Sequence, residues 1–381
     1  MSELMPPSGR VHWIGTGMST GSGLGLVCAG AETVLWGRTV AKAEACLDRL
    51  ELGGRAQTRA FTLGSLAAEL RRGDVVVSML PASEHPSLVE LALERDAHFV
   101  CSSYLSSGIA AHANEAAERG LVILTEIGLD PGIDHLLAHK LVTKAMQVTG
   151  DRPATVRFTS YCGSNPAVAN DFRYRFSWAP RGVLTALLTP ARLIEGGVVR
   201  EVARPWEVAR SQTVLGESFE VYPNRDSVPF VRTYAFPESW AVEDFVRGTL
   251  RLEGWSDAWK PVFADLVDAD DAEITELAED LAERHPTTAD DHDRVVMSVK
   301  LQVRTADGDE WAGEYVLDSV GDAVEAATPR LVSAPLAGGI LSVVASSVPA
   351  GLHQASSDLG QVQDWLEFLA GQGITVSFQP R

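Results

Sequence analysis

The sequence predicts an α/β protein: a doubly wound parallel sheet, followed by a mixed α/β region with a small helical insertion. Three observations carry this. Strand-like and helix-like segments alternate from Arg10 to about Asp130. Asp74–Leu80 (DVVVSML) is a continuous apolar run, the pattern of a strand buried on both faces. The first strand runs into a glycine-rich turn, Gly15-Thr16-Gly17-Met18-Ser19-Thr20-Gly21.

In order, Val11–Gly15 reads as a strand, Leu24–Ala29 as a helix, Thr33–Gly37 as a strand and Val40–Leu50 as a helix. After Asp74–Leu80 come a helix at Pro86–Glu94, a strand at His98–Ser102, a helix at Ala110–Arg119 and a strand at Leu121–Glu126. Beyond it, Ala154–Tyr161, Val295–Arg304 and Glu310–Leu317 alternate as half-exposed strands do. The stretch from Trp206 to His285, with Trp206, Trp240, Trp255 and Trp259, reads as helical. Within it Ile274, Leu277, Ala278 and Leu281 fall on one helical face of Asp271–Arg284. Asp358–Leu369 reads as a helix and Ile374–Phe378 as a last strand.

The 381 residues carry 32 Lys+Arg against 51 Asp+Glu, a net charge of −19, and so repel anionic partners: neither nucleic acid nor a membrane surface is expected. The negative charge is local. Asp265 to Asp293 holds 12 acids and one Arg, whereas Arg173 to Arg251 holds 11 Arg and 9 acids, which locates anion binding in the second segment. Leu336 to Leu352, broken by Gly338, Gly339, serines and Pro349, fits a core segment better than a membrane span. The start has no signal-peptide pattern, and Cys28, Cys46, Cys101 and Cys162 form no C-x-x-C pair, so a cytoplasmic protein without disulfides or structural zinc is expected.

In the turn, Gly15 permits the tight bend and Gly17 lets the backbone approach a pyrophosphate; Thr20 occupies the third position of G-x-G-x-x-G, with Gly21 and Gly23 nearby. A site that prefers NAD would carry an Asp or Glu about 20 residues past the loop, at the end of the second strand, to accept from the ribose 2′-OH. Gly37-Arg38-Thr39 stands there instead, which suits a 2′-phosphate, so NADP is expected over NAD; a solvated surface Arg is the other reading of Arg38.

Six motifs, in order, resemble one family. They are Ser102-Ser103-Tyr104-Leu105-Ser106; Glu126-Ile127-Gly128-Leu129-Asp130-Pro131-Gly132-Ile133-Asp134-His135; Ser160-Tyr161-Cys162-Gly163; Phe176-Ser177-Trp178 with Arg181-Gly182-Val183-Leu184; Tyr222-Pro223-Asn224-Arg225-Asp226-Ser227; and Arg247-Gly248-Thr249-Leu250-Arg251. Together they resemble saccharopine dehydrogenase of the NADP-dependent, glutamate-forming type (saccharopine reductase). The resemblance implies a Rossmann domain over 1–130 completed by 345–381. It further implies a mixed α/β substrate and dimerisation domain over 131–205 and 290–344, and a helical domain over 206–289. The implied activity is reversible: glutamate condenses with the aldehyde of aminoadipate semialdehyde, and NADPH reduces the imine to saccharopine. A homodimer is implied as well.

Carried over residue by residue, the resemblance gives Tyr104, Asp130 and Cys162 as the proton-transfer groups. It gives Gly15, Gly17, Met18, Ser19, Arg38, Thr39, Leu80, Ser102, Ser103 and Leu129 to the cofactor. Ser103, Tyr104, Asp130, Cys162, Gly163, Phe176, Trp178, Arg181, Asn224, Arg225, Asp226 and Ser227 go to the substrate, with Arg247 as a further cation. Each has a plainer alternative. Asp130 can cap the helix from Ile133, Tyr104 can be a packing residue, Cys162 an inert buried thiol, and Arg181 a helix cap or surface ion pair. His135 and His139 share a helical face, but no Glu follows His135 as in H-E-x-x-H, and no metal is expected.

One segment departs from the family. After Cys162-Gly163 the family continues Gly-Leu-Pro-Ala-Pro-Glu, whereas this chain has Ser164-Asn165-Pro166-Ala167-Val168-Ala169. The alternatives this leaves are a carboxynorspermidine or lysine 6-dehydrogenase-like enzyme, or a nucleotide-binding sensor without catalysis.

Overall fold

The computed structural model describes residues 3–288 and 291–380. The chain divides into two compact units: 1–136 with 329–373, and 137–328 with 374–381.

The first unit is the expected parallel sheet. Its strands are β1 (Arg10–Ile14), β2 (Glu32–Gly37), β3 (Gln57–Ala60), β4 (Val75–Ser78), β5 (His98–Cys101) and β6 (Val122–Leu124). A seventh strand, Gly351–His353, adds beside β6, giving the order 351–353, β6, β5, β4, β1, β2, β3, all parallel. Successive side chains of a strand point to opposite faces, so a strand covered on both sides must be apolar throughout. Accordingly Val75 and Val77 enter one core cluster and Val76 the other. β3 and the helix Leu63–Glu69 are additions to the sequence reading: the β3 side chains, Gln-Thr-Arg-Ala, are all partly exposed, so they carry no apolar period.

One buried polar group under this sheet is a three-residue relay. His12 Nε2 lies 3.0 Å from Asp74 Oδ2, and Trp36 Nε1 donates to His12 Nδ1 at 3.1 Å, all three being buried. Nδ1 accepts, so Nε2 carries the proton and donates to Asp74.

The second unit is a nine-stranded mixed sheet. Its strands are β7 (Ala154–Pro166), β8 (Ala191–Glu195), β9 (Val198–Val202), β10 (Arg210–Val214), β11 (Glu217–Pro223), β12 (Trp240–Leu252), β13 (Asp293–Thr305) and β14 (Glu310–Val320), with the strand Ser377–Pro380. The path is β10, β11, β12, β7, β13, β14, 377–380, with the β8–β9 hairpin attached to β12. Only β12 and β7 run parallel on this path.

Here two expectations change. The segment 206–289 is not a helical domain: β10, β11 and β12 occupy its first half, interrupted by the single helical turn Phe230–Thr233, and the remaining helices follow from Trp255 (Trp255–Ala258, Lys260–Leu266, Asp271–Arg284). Trp255 and Trp259 are buried four residues apart on one helical face, but Trp240 opens a strand whose partners lie about 80 residues upstream in β7. Cross-strand pairing at that range leaves no mark on local spacing. Residues 345–381 also divide. Gly351–His353 and the helix Leu359–Gly371 belong to the first unit, whereas Ser377–Pro380 pairs with β14, Phe378 lying 5.0 Å from the Tyr315 ring.

The helix Asp271–Arg284 has the expected bounds. Asp270 and Glu273 form a capping box, Ile274, Ala278 and Leu281 are buried, and Asp271, Glu276, Glu279, Asp280 and Glu283 face solvent. The acids of this helix are therefore an outer face, whereas Asp293 at the end of the stretch is buried and accepts from Ala327 N and Thr328 N; Asp290 lies outside the described residues. The helix Ala327–Val344 is long and apolar enough to cross a membrane, but 67% of it is buried. Leu336, Ala337, Ile340 and Val343 lie in the core of the first unit.

Candidate active site

In the first unit the carboxyl ends of β1 and β4 part to opposite sides, which opens the crevice where doubly wound sheets bind ligands. Gly15 ends β1 with φ +124°, and a Cβ there would lie 2.9 Å from the Met79 Cβ that follows β4. Only glycine fits. At Gly17 a Cβ would meet nothing within 4 Å, so the backbone is open to an approaching phosphate. Thr20 is buried and its hydroxyl donates to Gly15 O at 3.2 Å, closing the turn from within. The close helix packing that the third glycine of such loops allows is supplied by Gly23. A Cβ there would stand 1.9 Å from Ser333 O, and its N–H donates to Ser333 Oγ at 3.0 Å.

Met18 is exposed and Ser19 half-buried in this turn. Arg38 is exposed just after β2 and makes no hydrogen bond or ion pair among the described residues. Thr39 Oγ1 accepts from Lys42 N at 3.2 Å and caps the next helix. An open glycine turn with an uncommitted guanidinium at the end of the second strand fits a 2′-phosphorylated dinucleotide.

Along the same edge, the sequence candidates Tyr104 and Asp130 come together. Tyr104 Oη donates to Asp130 Oδ1 at 2.6 Å across 26 residues of chain. Both are half-buried. Asp134 holds the helix start: its Oδ1 accepts from Gly132 N at 2.8 Å. Ser102 and Ser103 are half-buried after β5, Leu80 after β4, and Leu129 is buried beside Asp130.

Two residues of this edge were not legible in the sequence. His85, buried, places Nδ1 3.0 Å from Ser78 Oγ and Nε2 2.9 Å from Ser103 Oγ. Burial pushes its pKa down to about 4, so the ring is neutral and joins two strand-end serines. Glu126 is also buried, and its oxygens accept from Leu105 N at 2.9 Å and from Gln354 Nε2 at 2.7 Å. Glu126 opens one of the six motifs, but neither that motif nor any local spacing marks a role for it or for His85, because their partners are distant in sequence.

In the second unit, Cys162 sits on β7 opposite Thr249 of β12 and Met297 of β13, and is buried. Gly163 next to it is required by packing: a Cβ would meet Leu250 O at 1.8 Å. Beyond Thr249, Arg251 is buried with its guanidinium 4.8 Å from the Tyr174 ring and 5.8 Å from the rings of Tyr222 and Trp255. Burial works against its charge, yet the Tyr222 and Tyr174 phenols hold its pKa above the ordinary value, and Cys162 adds to this. It makes no ion pair with a carboxylate among the described residues. Arg247 is buried against the face of Phe230 at 4.1 Å.

The remaining candidates divide. Phe176 is buried in an aromatic cluster with Tyr174, Trp255 and Trp259, while Trp178 is 36% exposed and packs its ring over Gly182. Arg181 is committed elsewhere, as its plainer reading had it: it pairs with Asp271 and donates to Thr275 Oγ1 at 3.0 Å on the exposed acidic helix. Arg225, with φ +58°, is exposed at the tip of its turn. Asp226 accepts from Arg192 Nη1 at 2.6 Å and Val228 N at 3.0 Å, and Ser227 Oγ from Arg247 N at 2.9 Å. These two residues shape the turn that presents Asn224 and Arg225. His139 packs its ring on Tyr234 at 5.6 Å. The departing segment Ser164–Pro166 is the end of β7, paired with β13, and Ser164 Oγ accepts from Thr328 Oγ1 at 2.9 Å.

Residues 11–124 match the family model for the saccharopine dehydrogenase NADP binding domain, and residues 128–374 that for the saccharopine dehydrogenase C-terminal domain. A saccharopine dehydrogenase (NADP(+), L-glutamate-forming) of Pyricularia oryzae is 38% identical over 197 residues, which is 50% of this chain and 42% of that protein. The Saccharomyces cerevisiae protein of the same name is 38% identical over 192 residues, 49% of this chain and 42% of that one. The aligned region thus spans less than half the length of these curated relatives. The apo structure of the Saccharomyces cerevisiae L-Glu-forming saccharopine dehydrogenase shares the fold with TM-score 0.80 at 24% identity, over 98% of this chain and 100% of that one.

Proposed function

We propose, from the premise that this chain belongs to the saccharopine dehydrogenase family, that it is an NADP-dependent oxidoreductase acting on the CH–NH bond of saccharopine or a similar amino-acid imine adduct. The observation that carries the proposal is the 2.6 Å Tyr104 Oη–Asp130 Oδ1 hydrogen bond at the carboxyl edge of the parallel sheet.

When bound, NADPH supplies the hydride that reduces an imine carbon. The protein's part is positioning and proton transfer. Gly15 and Gly17 admit the pyrophosphate to the backbone, and Arg38 supplies the charge for a 2′-phosphate. Forming the imine requires a proton to leave the attacking amine and a proton to reach the departing hydroxyl. The Tyr104–Asp130 pair can do both at Tyr104 Oη, because the Asp130 carboxylate takes up and returns the phenolic proton. The second unit by itself offers a thiol, Cys162, of the kind that can donate a proton, and guanidiniums, Arg225, Arg247 and Arg251, of the kind that bind carboxylates.

The test is direct. Purified protein with saccharopine and NADP should generate NADPH absorbance, and glutamate with aminoadipate semialdehyde should consume it. Failure in both directions would sink the saccharopine assignment. The altered end of β7 favours a second reading within the same chemistry, a different imine partner; a panel including carboxynorspermidine and lysine separates the two. Arg38→Ala should weaken NADP about 10- to 100-fold and leave NAD nearly unchanged, by calorimetry or by KM. Equal weakening of both cofactors would remove Arg38 from the 2′-phosphate site.

The proposal includes a homodimer and a cytoplasmic location. Exposed Val198, Val199, Val208 and Leu215 on and around the β9–β10 region support the first, to be checked by analytical ultracentrifugation. None of the four cysteines is in a disulfide, which suits a reducing compartment.

A further inference from the structure

We infer that Glu126 is a positioning residue for Tyr104, holding the loop on both sides of the tyrosine through one strained backbone turn. The inference rests on the proposed function and adds a residue that neither motif nor spacing assigned. Glu126 is 2% exposed and adopts φ +58°, a left-handed conformation that is strained for a non-glycine residue. That turn lets one residue bracket Tyr104. The Glu126 N–H donates to Ser103 O at 3.1 Å, and Glu126 Oε1 accepts from Leu105 N at 2.9 Å.

The carboxylate is itself held. Gln354 Nε2 donates to Oε2 at 2.7 Å, and His135 Nε2 stands 3.1 Å from the same oxygen. Gln354 follows the strand Gly351–His353, and His135 lies in the first turn of the helix that begins three residues after Asp130. One buried carboxylate therefore ties the loop bearing Tyr104 to the residue that follows the seventh strand, and lies against the helix start adjoining Asp130. Tyr104 Oη must lie within hydrogen-bond reach of Asp130 for the pair to share a proton. A misplacement of the order of 1 Å is enough to cost about 100-fold in rate. The carboxylate presents one acceptor oxygen to Leu105 N and the other to Gln354 Nε2.

The test uses Glu126→Gln and Glu126→Asp in the full chain, and the exchange Glu126→Gln with Gln354→Glu, which moves the carboxylate one residue across the same contact. For the single variants kcat should fall about 10- to 100-fold with the KM for NADP within about twofold, because only the tyrosine loop is released. The exchanged double variant should recover most of the loss. Independently of turnover, the Leu105 amide should exchange with deuterium about tenfold faster or more in the single variants, while amides of β1 and β4 keep their protection. If the wild type turns over no substrate, the function has failed but the exchange data still judge the clamp. Should Glu126→Gln not fold, Gln354→Met loosens the same carboxylate and must itself speed Leu105 exchange. Unchanged Leu105 exchange, or activity lost only in proportion to the folded fraction, would overturn the inference.

Discussion

Asn at position 130 should lower kcat about 100- to 10,000-fold, measured as NADPH formation from saccharopine, while the KM for NADP stays within about twofold. Asn keeps the size of the side chain and can still accept from Tyr104 Oη, so the loop remains in place. It cannot take up the phenolic proton. Tyr104→Phe removes the hydroxyl and should give a loss of similar size. The two residues form one hydrogen-bonded unit at 2.6 Å, so their effects should not add. The double variant should be no slower than the slower single by more than about threefold. Independent, additive losses would mean that the two groups serve separate steps. An Asp130→Asn enzyme with more than half of wild-type kcat would return Asp130 to a structural role.

The second large effect is on stability. Burial pushes both His85 and His98 down to about 4 from the ordinary value near 6.5, and both are almost fully buried. In the folded protein these rings stay neutral between pH 6.5 and 4, whereas in the unfolded chain they take up protons as the pH falls. The unfolded state then binds more protons, so the stability that is complete above pH 6.5 is lost progressively down to pH 4. The loss is at most about 3 kcal/mol for each ring. Denaturant titrations across this window should show the fall, and His85→Asn should reduce its slope by about the share of one ring. His85 bonds to Ser78 and Ser103, and His98 Nδ1 accepts from Val122 N at 3.0 Å, so the substitution also carries a pH-independent cost. A His85→Asn slope equal to the wild type would show that this ring does not titrate as its burial requires. Asp74 is a separate case. Burial opposes its charge, but the hydrogen bonds from His12, Ser8 and Arg71 N hold its pKa below the usual carboxylate value. Its contribution is present above pH 3.8 and is lost below, outside the histidine window.

What could be foreseen from the sequence follows from how far apart partners lie. The parallel sheet was legible because burial on both faces forces apolar runs such as Val75–Val77, and the helix Asp271–Arg284 because its cap and apolar stripe are local. β10 to β12 were not, since they are strands by virtue of pairing with β7 and with one another. The same holds for the site. Tyr104 and Asp130 were named from motifs, but the residues that hold them were silent. His85 reaches Ser103 across 18 positions, and Gln354 reaches Glu126 across 228. Arg251 was quoted within a motif, yet its enclosure by Tyr174, Tyr222 and Trp255 exists only once β12 and the helices after it are folded. Arg181 shows the reverse: a motif arginine that the fold directs to a surface acid.

The threading of the chain has its own consequence. It enters the second unit after residue 136, returns at 329 and leaves again at 374 to lay Ser377–Pro380 beside β14. Neither unit is therefore a contiguous stretch that recombination could lift out whole. A gene fragment ending near residue 136 would encode a nucleotide-loop sheet without its seventh strand or the helix that packs on Gly23. A split of the chain at residue 136 would therefore leave both pieces incomplete.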